Sequence, residues 1–187
     1  MENLVEERLS YDKHLRSVSD FTCGKNESLD NFLKSEAFQY NEDGQGNTYV
    51  IRFAQSNEII AYYTLKANLI KAYNAEIEQD EHLPSVEIAR LAVSDSLRRQ
   101  GLGTYLFVKY ILPKINNVKN IIGINTIMLF VEDYSSEDHN PQNFYKSLGF
   151  KLANEEITNH IENKYNEGCK LMYVNINNLD EFAQDLI

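Results

Sequence analysis

A strand, a short polar connection and a two-glycine turn that opens directly into an apolar helix constrain this chain more than any other part of it. Glu87-Ile88-Ala89-Arg90-Leu91-Ala92-Val93 reads as the strand. Arg98-Arg99-Gln100-Gly101-Leu102-Gly103-Thr104 reads as the turn, and Tyr105 to Leu112 as the helix. Glycine at 101 and 103 permits φ values closed to other residues and lets a ligand approach the main chain closely. The free N–H groups of the following helix, with its dipole, then point at an anion.

The glycine spacing narrows the choice of anion. A dinucleotide fingerprint needs a third glycine three residues after Gly103, where Leu106 stands. A Walker loop needs Gly-Lys-Ser/Thr, which the chain does not contain. What remains is Arg98-x-x-Gly101-x-Gly103, which by itself also suits a strand-to-helix turn with only a packing role. Charge favours a ligand. The chain carries a net charge of -10, yet Ser96 through Val131 holds no Asp or Glu and five basic residues, Arg98, Arg99, Lys109, Lys114 and Lys119. The other 13 of the 18 Lys and Arg face all 28 acids. A cationic island on a glycine turn is what an anionic cofactor requires.

A second motif follows, Asn140-Pro141-Gln142-Asn143-Phe144-Tyr145-Lys146-Ser147-Leu148-Gly149-Phe150. Asn-Pro suits the start of a helix, with proline near its first position, and Gly149 suits its end. Arg98-x-x-Gly101-x-Gly103 resembles the pyrophosphate loop of the GNAT family of acetyl-CoA-dependent N-acetyltransferases. Phe144-Tyr145 with Gly149-Phe150 resembles the same family's later Phe-Tyr and Gly-Phe pairs. The resemblance implies an α/β GNAT fold, a single domain over residues 1–187 with a mixed, centrally splayed sheet flanked by helices. It also implies direct acetyl transfer from acetyl-CoA to a primary amine in a ternary complex.

Acetyl transfer needs a deprotonated amine, stabilisation of an oxyanion, and a proton for the departing thiolate. Amines with pKa near ~10 are protonated at neutral pH, so a general base or a water relay helps. The resemblance places a catalytic glutamate at Glu87, fourteen residues before Gly101, acting directly or through water; a solvent-facing strand glutamate is the other reading. Main-chain N–H groups of Leu91, Ala92 and Val93 would bind the pantetheine arm and polarise the thioester. Loss of one such donor typically costs roughly 10²–10³ in rate. Arg98, Arg99, Gln100, Gly101, Leu102, Gly103 and Thr104, with Asn143 in the second motif, complete the implied cofactor site. Tyr145 is the implied general acid, singled out from 12 tyrosines by its place in the motif.

Composition agrees with a globular domain able to bury a core, at 187 residues with 43% hydrophobic and 11% aromatic content. The polar segment Met1 to Ser10 reads as no secretory signal, and no apolar run reaches membrane-spanning length. Cys23 and Cys169 make no disulfide framework, which suits a reducing cytoplasm. Histidines 14, 82, 139 and 160 show no metal spacing, so no metal is expected. Strands are expected over Leu4 to Tyr11, Thr48 to Phe53, Ile59 to Leu65, Val86 to Val93, Thr126 to Val131 and Leu171 to Ile176. Helices are expected over Ser28 to Asn41, from the glycine turn to about Ile115, over Pro141 to Leu148 and at Asn178 to Leu186.

Phe21-x-Cys23-Gly24, Leu29-Asp30-x-Phe32-Leu33 and Ile60-x-Tyr62-Tyr63-Thr64-Leu65 are similar to the GNAT subgroup containing toxins of toxin–antitoxin pairs, which acetylate aminoacyl-tRNA. A tRNA-binding surface should be broadly basic, whereas this chain has pI ≈ 4.9. The leading expectation is therefore a small-molecule or protein amine, with cationic acceptors favoured by Glu76, Glu78, Asp80 and Glu81 and by Glu132, Asp133, Glu137 and Asp138. The tRNA-acetylating toxin is the alternative, followed by a non-catalytic acyl-CoA-binding module. No membrane partner is expected, and a homodimer is compatible with all three.

Overall fold

The N-terminal strand β1 (Leu4–Arg8) runs antiparallel to β2 (Asn47–Phe53), with Leu4 opposite Phe53 and Arg8 opposite Tyr49. In this computed structural model the described residues are 3–24, 26–74, 76–132, 140–154, 157–158 and 168–179. They divide between two compact units, Met1–Lys66 with Ile88–Tyr110 and Ala67–Glu87 with Ile111–Ile187. Two long strands, β3 (Ile59–Asn74) and β4 (Gln79–Val93), contribute to both.

In the first unit the strand order is β1-β2-β3-β4. Helix α1 (Tyr11–Asp20), α2 (Glu27–Asn31), a π-helical turn (Phe32–Glu36) and α3 (Ala37–Glu42) supply the rest of its core. Phe21, Phe32, Leu33, Ala37, Val50 and Tyr62 form one buried cluster with Ala92 of β4. Each large apolar side chain sequestered there contributes about 1.5–3 kcal/mol. Buried polar groups are paired, as they must be. Tyr62 Oη donates to the Leu29 carbonyl at 2.7 Å. The Asn41 amide bridges strand ends, accepting from Thr48 N–H at 2.8 Å and donating to the Leu9 carbonyl at 3.3 Å.

The expected helix over 28–41 starts at Glu27, where Asn26 caps it by accepting from Leu29 N–H at 3.3 Å. The π turn inserts an extra residue per turn, which rotates the chain so that Phe32, Leu33 and Ala37 are all buried. Helix α1 replaces the end of the first expected strand. Its polar sequence conceals it, since the buried residues are His14 and Val18 while Tyr11 and Leu15 are exposed. Ser10 N–H donates to His14 Nδ1 at 3.1 Å, giving this helix its ordered start.

In the second unit β3 and β4 are followed across the sheet by β5 (Thr126–Glu132), β8 (Cys169–Asn175) and β6 (Lys151–Leu152), with β7 (Ile157–Thr158) on β3 through Lys71 and Ala72. The segment between Leu65 and Val86 is largely strand, because β3 and β4 pair well beyond the stretches their apolar pattern marks. Strand β5 is parallel to β4, whereas β1–β2, β2–β3, β3–β7, β5–β8 and β6–β8 are antiparallel, so the sheet is mixed. Their register covers Ser85–Glu87 opposite Thr126–Met128. Beyond it β5 goes on to Glu132 along β8 (Cys169–Asn175), and β4 to Val93. Helix α5 (Leu112–Ile122) ends at Gly123 with φ 69°, beyond the expected Ile115. Helix α6 (Pro141–Ser147) and β6 (Lys151–Leu152) complete this unit. Of the expected closing helix at 178–186, Asn178 and Leu179 are helical and the remainder lies outside the described residues.

Candidate active site

In the first unit, β4 hands over to the glycine turn at Ser94, whose N–H donates to the Ile60 carbonyl at 2.8 Å. A 3₁₀ turn (Asp95–Leu97) follows, then Arg98 in extended conformation, Arg99 at φ 62° and Gly101 at φ 76°. Gly101 caps α4 (Leu102–Leu106), and its carbonyl accepts the first helical hydrogen bond, from Tyr105 N–H at 3.0 Å. The N–H groups of Leu102, Gly103 and Thr104 therefore precede the helical ladder and are available to an anion. A Cβ at Gly101 would meet nothing within 4 Å, so what Gly101 supplies is its left-handed backbone. Gly103 has helical geometry.

The two arginines differ in role. Arg98 Nη1 donates to the Cys23 carbonyl at 3.1 Å and lies 3.6 Å from Asp95 Oδ1. It thus ties the turn to the Phe21–Gly24 segment. Asp30 anchors that segment in turn, accepting from Cys23 N–H and Thr22 Oγ1, each at 2.8 Å. Burial opposes ionisation of Asp30, but these donors outweigh it and hold its pKa below the usual value. Burial, followed by the Asp30 carboxylate, pushes the Cys23 thiol up to about 12. The N-terminal motif, legible only as a resemblance, is the brace behind the turn. Arg99 and Gln100 are exposed. A cavity of about 200 Å³ beside the turn is lined by Leu4, Phe53, Ile60, Leu97, Gln100 and Leu102. Ala92 is buried and Leu91 and Val93 half-buried, and all three lie past the Ser85–Glu87 parallel register.

In the second unit, Glu87 is buried, 3% exposed, and Asn68 Nδ2 donates to its Oε2 at 2.5 Å. The strand-edge, solvent-facing alternative for this glutamate is therefore set aside. Tyr145 lies on α6, whose start is capped by Asn140 Oδ1 accepting from Gln142 N–H at 2.9 Å. The helix stops where Leu148 and Phe150 both donate to the Tyr145 carbonyl at 3.0 Å, with Gly149 at φ 88°. The Tyr145 ring packs edge-on against Phe144 at 4.9 Å and Phe150 at 5.7 Å. This geometry explains the Phe-Tyr and Gly-Phe spacing. Burial raises the Tyr145 pKa above that of a free phenol, and its hydroxyl has no hydrogen-bond partner among the described residues. It is therefore protonated across the physiological range. Asn143 is exposed on the same helix.

No group of His, Cys, Asp and Glu among the described residues could hold a metal ion. None of their helices is long and apolar enough to cross a membrane. Asp133, Glu137, Asp138, His139 and His160 lie outside the described residues.

Comparison with solved structures finds the same fold in bacterial toxins. A Tyr-to-Phe mutant of the toxin AtaT, bound to acetyl-CoA and the C-terminus of the antitoxin AtaR, is 20% identical with a TM-score of 0.70, over 97% of this chain and 98% of that one. A Tyr-to-Phe mutant of KacT is 19% identical with a TM-score of 0.73, over 97% and 99%. AtaT complexed with acetyl-methionyl-tRNAfMet is 22% identical with a TM-score of 0.72, over 96% and 99%. A family model for the acetyltransferase (GNAT) domain matches residues 45–152. Because that match spans more than half of the chain and takes in the glycine turn, Glu87 and Tyr145 alike, the chain belongs to the GNAT acetyltransferase family and is an N-acetyltransferase with acetyl-CoA as its donor.

Proposed function

We propose that the acceptor is the α-amino group of an aminoacyl-tRNA, acetylated by direct transfer. The observation that carries this reading is the reach of the structural similarity. The AtaT and KacT matches cover 96–97% of the chain, well outside residues 45–152, and one of those structures holds acetyl-methionyl-tRNAfMet. Acetyl-CoA would rest its pyrophosphate on the N–H groups of Gly101, Leu102, Gly103 and Thr104, with Arg99, Gln100 and Asn143 as side-chain partners and Arg98 holding the turn in shape. Main-chain N–H groups of Leu91, Ala92 and Val93 would orient the pantetheine arm and polarise the thioester carbonyl. Glu87, directly or through water, takes a proton from the ammonium so that the amine nitrogen can attack. The C–N bond forms, the C–S bond breaks, and Tyr145 supplies the proton that the thiolate accepts.

Residues 1–187 would then act as one domain in the cytoplasm, with an antitoxin as protein partner. A cationic small molecule or lysine-bearing peptide is the second reading, favoured by the net charge of -10. Its strength is reduced because part of the hairpin's acidity is used internally. Asp80 lies 2.5 Å from Lys71 Nζ, and Glu81 accepts from Asn74 Nδ2 at 2.8 Å. Thiol release from acetyl-CoA across a panel of amines and charged tRNAs separates the two. Transfer to charged tRNA supports the first reading; transfer to polyamines or lysine peptides with none to charged tRNA would replace it with the second.

A further inference from the structure

Asparagine is depleted in strands, yet Asn68 stands well inside β3. Its side chain is held at both ends. Oδ1 accepts from Leu69 N–H at 2.7 Å, and Nδ2 donates to Glu87 Oε2 at 2.5 Å. An asparagine amide has an acceptor at one end and donors at the other. The Leu69 N–H at Oδ1 therefore fixes which end meets the glutamate, and that end is a donor. Glu87 needs donors. It is 3% exposed, and its parallel partner on β5, Met128, is apolar and fully buried. A carboxylate taken out of water is costly unless hydrogen bonds replace its hydration. The same two strands carry a second copy of the arrangement. Asn74 Oδ1 accepts from Glu76 N–H at 3.0 Å, and Asn74 Nδ2 donates to Glu81 Oε1 at 2.8 Å. Glu81 is exposed, so water can take the place of that donor. Burial leaves Glu87 little such recourse.

We infer that Asn68 is a positioning residue for acetyl transfer: it holds the Glu87 carboxylate in one orientation, with Oε2 kept as an acceptor, so that the base meets the acceptor's ammonium in a fixed geometry. The inference rests on Glu87 as the base, the reading given above. Asn68 carries no proton itself, because an amide neither takes one up nor releases one near neutral pH. The proton leaves the ammonium nitrogen for the carboxylate, directly or through water. Asn68 acts only through where it holds that carboxylate. The effect on rate is steep, since a misplacement of about 1 Å can cost roughly 10²-fold.

Kinetics of Asn68→Asp, Glu87→Gln and their combination test this, with the acceptor turned over fastest in the panel of amines and charged tRNAs. Asn68→Asp keeps the shape and the bond from Leu69 N–H but turns an anion toward Glu87. It should lower kcat by about 10–10²-fold and leave acetyl-CoA affinity, read by calorimetry, unchanged. Glu87→Gln should cost about 10²–10⁴-fold, the usual contribution of a general base. The double variant should be no slower than Glu87→Gln alone, because Asn68 has no route to the reaction except through that carboxylate. It should also regain thermal stability over Asn68→Asp, since the new amide can donate to the new carboxylate. Asn68→Leu removes the donor without adding charge, and the same cycle is read on it if Asn68→Asp does not fold. Asn74→Asp, the matching change at Glu81, should keep wild-type kcat. Losses that multiply in the double variant, an equal loss in Asn74→Asp, or wild-type kcat in the folded Asn68 variants would overturn the positioning role while leaving Glu87 as the base. Wild-type kcat in Glu87→Gln would overturn Glu87 as the base and this inference with it, as would absence of wild-type turnover on every acceptor.

Discussion

Gly24→Ala tests whether the glycine turn, as the proposed acetyl-CoA site, depends on its brace. Gly24 sits at φ 87°, and a Cβ there would lie 2.5 Å from Asp95 Oδ1 and 3.0 Å from its Cγ. Two costs follow. A left-handed alanine costs roughly 1–2 kcal/mol relative to glycine. The Asp95 carboxylate must also move, which loosens its ion pair with Arg98; that pair is half-exposed and worth about 0–1 kcal/mol. The sum, about 1–3 kcal/mol, should lower the melting temperature by roughly 2–12 °C for a chain of this size. The functional effect should exceed the thermal one, because Arg98 loses its fixed placement between Asp95 and the Cys23 carbonyl. Acetyl-CoA affinity, measured by calorimetry, should fall about tenfold. Removing the obstructing carboxylate as well, in the double variant with Asp95→Ala, should relieve the steric part and leave the backbone part. A double-mutant cycle with no coupling between positions 24 and 95 would refute the steric argument. Full acetyl-CoA affinity in a destabilised Gly24→Ala protein would refute the role of the brace.

Other perturbations separate the remaining parts of the site. Tyr145→Phe should lower kcat while leaving acetyl-CoA affinity nearly unchanged; unaltered turnover would remove Tyr145 as the acid. Gly103→Val should abolish acetyl-CoA binding without unfolding the protein, and wild-type affinity by calorimetry would show that the turn is not the pyrophosphate site. The hydrogen bond from Arg52 Nε at 2.7 Å, with smaller help from His14 and Lys13, holds the Glu7 pKa at about 2 against burial. Its folded value lies below its ordinary one, so the stability it confers is present above pH 4.5 and is lost as pH falls toward 2. Glu7→Gln should therefore flatten the fall in urea midpoint across that window, and carbon NMR of wild-type Glu7 should place its titration near the lower end.

Local physics made part of the protein legible in advance. A turn that needs φ of 76° admits glycine with little competition, so Gly101 announces itself. The Asn-Pro start and Gly149 stop of α6 likewise depend on residues a few positions apart, and their helix forms as expected. Helix α1 was hidden because its stability comes from contacts that its own pattern does not show, with a buried histidine, His14, sharing the inward side with Val18. The outer halves of β3 and β4, and the two-residue β6 and β7, exist through pairing with distant strands. Propensity cannot signal such pairing, since each partner supplies the hydrogen bonds the other lacks.

The same division runs through the site. Residue types at short spacing, Arg98-x-x-Gly101-x-Gly103 and Phe144-Tyr145 with Gly149-Phe150, determined the family and the acetyl donor and singled out Tyr145 as the proposed acid. Only tertiary structure decided that Glu87 is buried against Asn68 and that Arg98 serves the brace formed by Cys23, Gly24 and Asp30. Those facts depend on register and burial between segments far apart in the chain, and such long-range geometry leaves no periodic mark on any one of them.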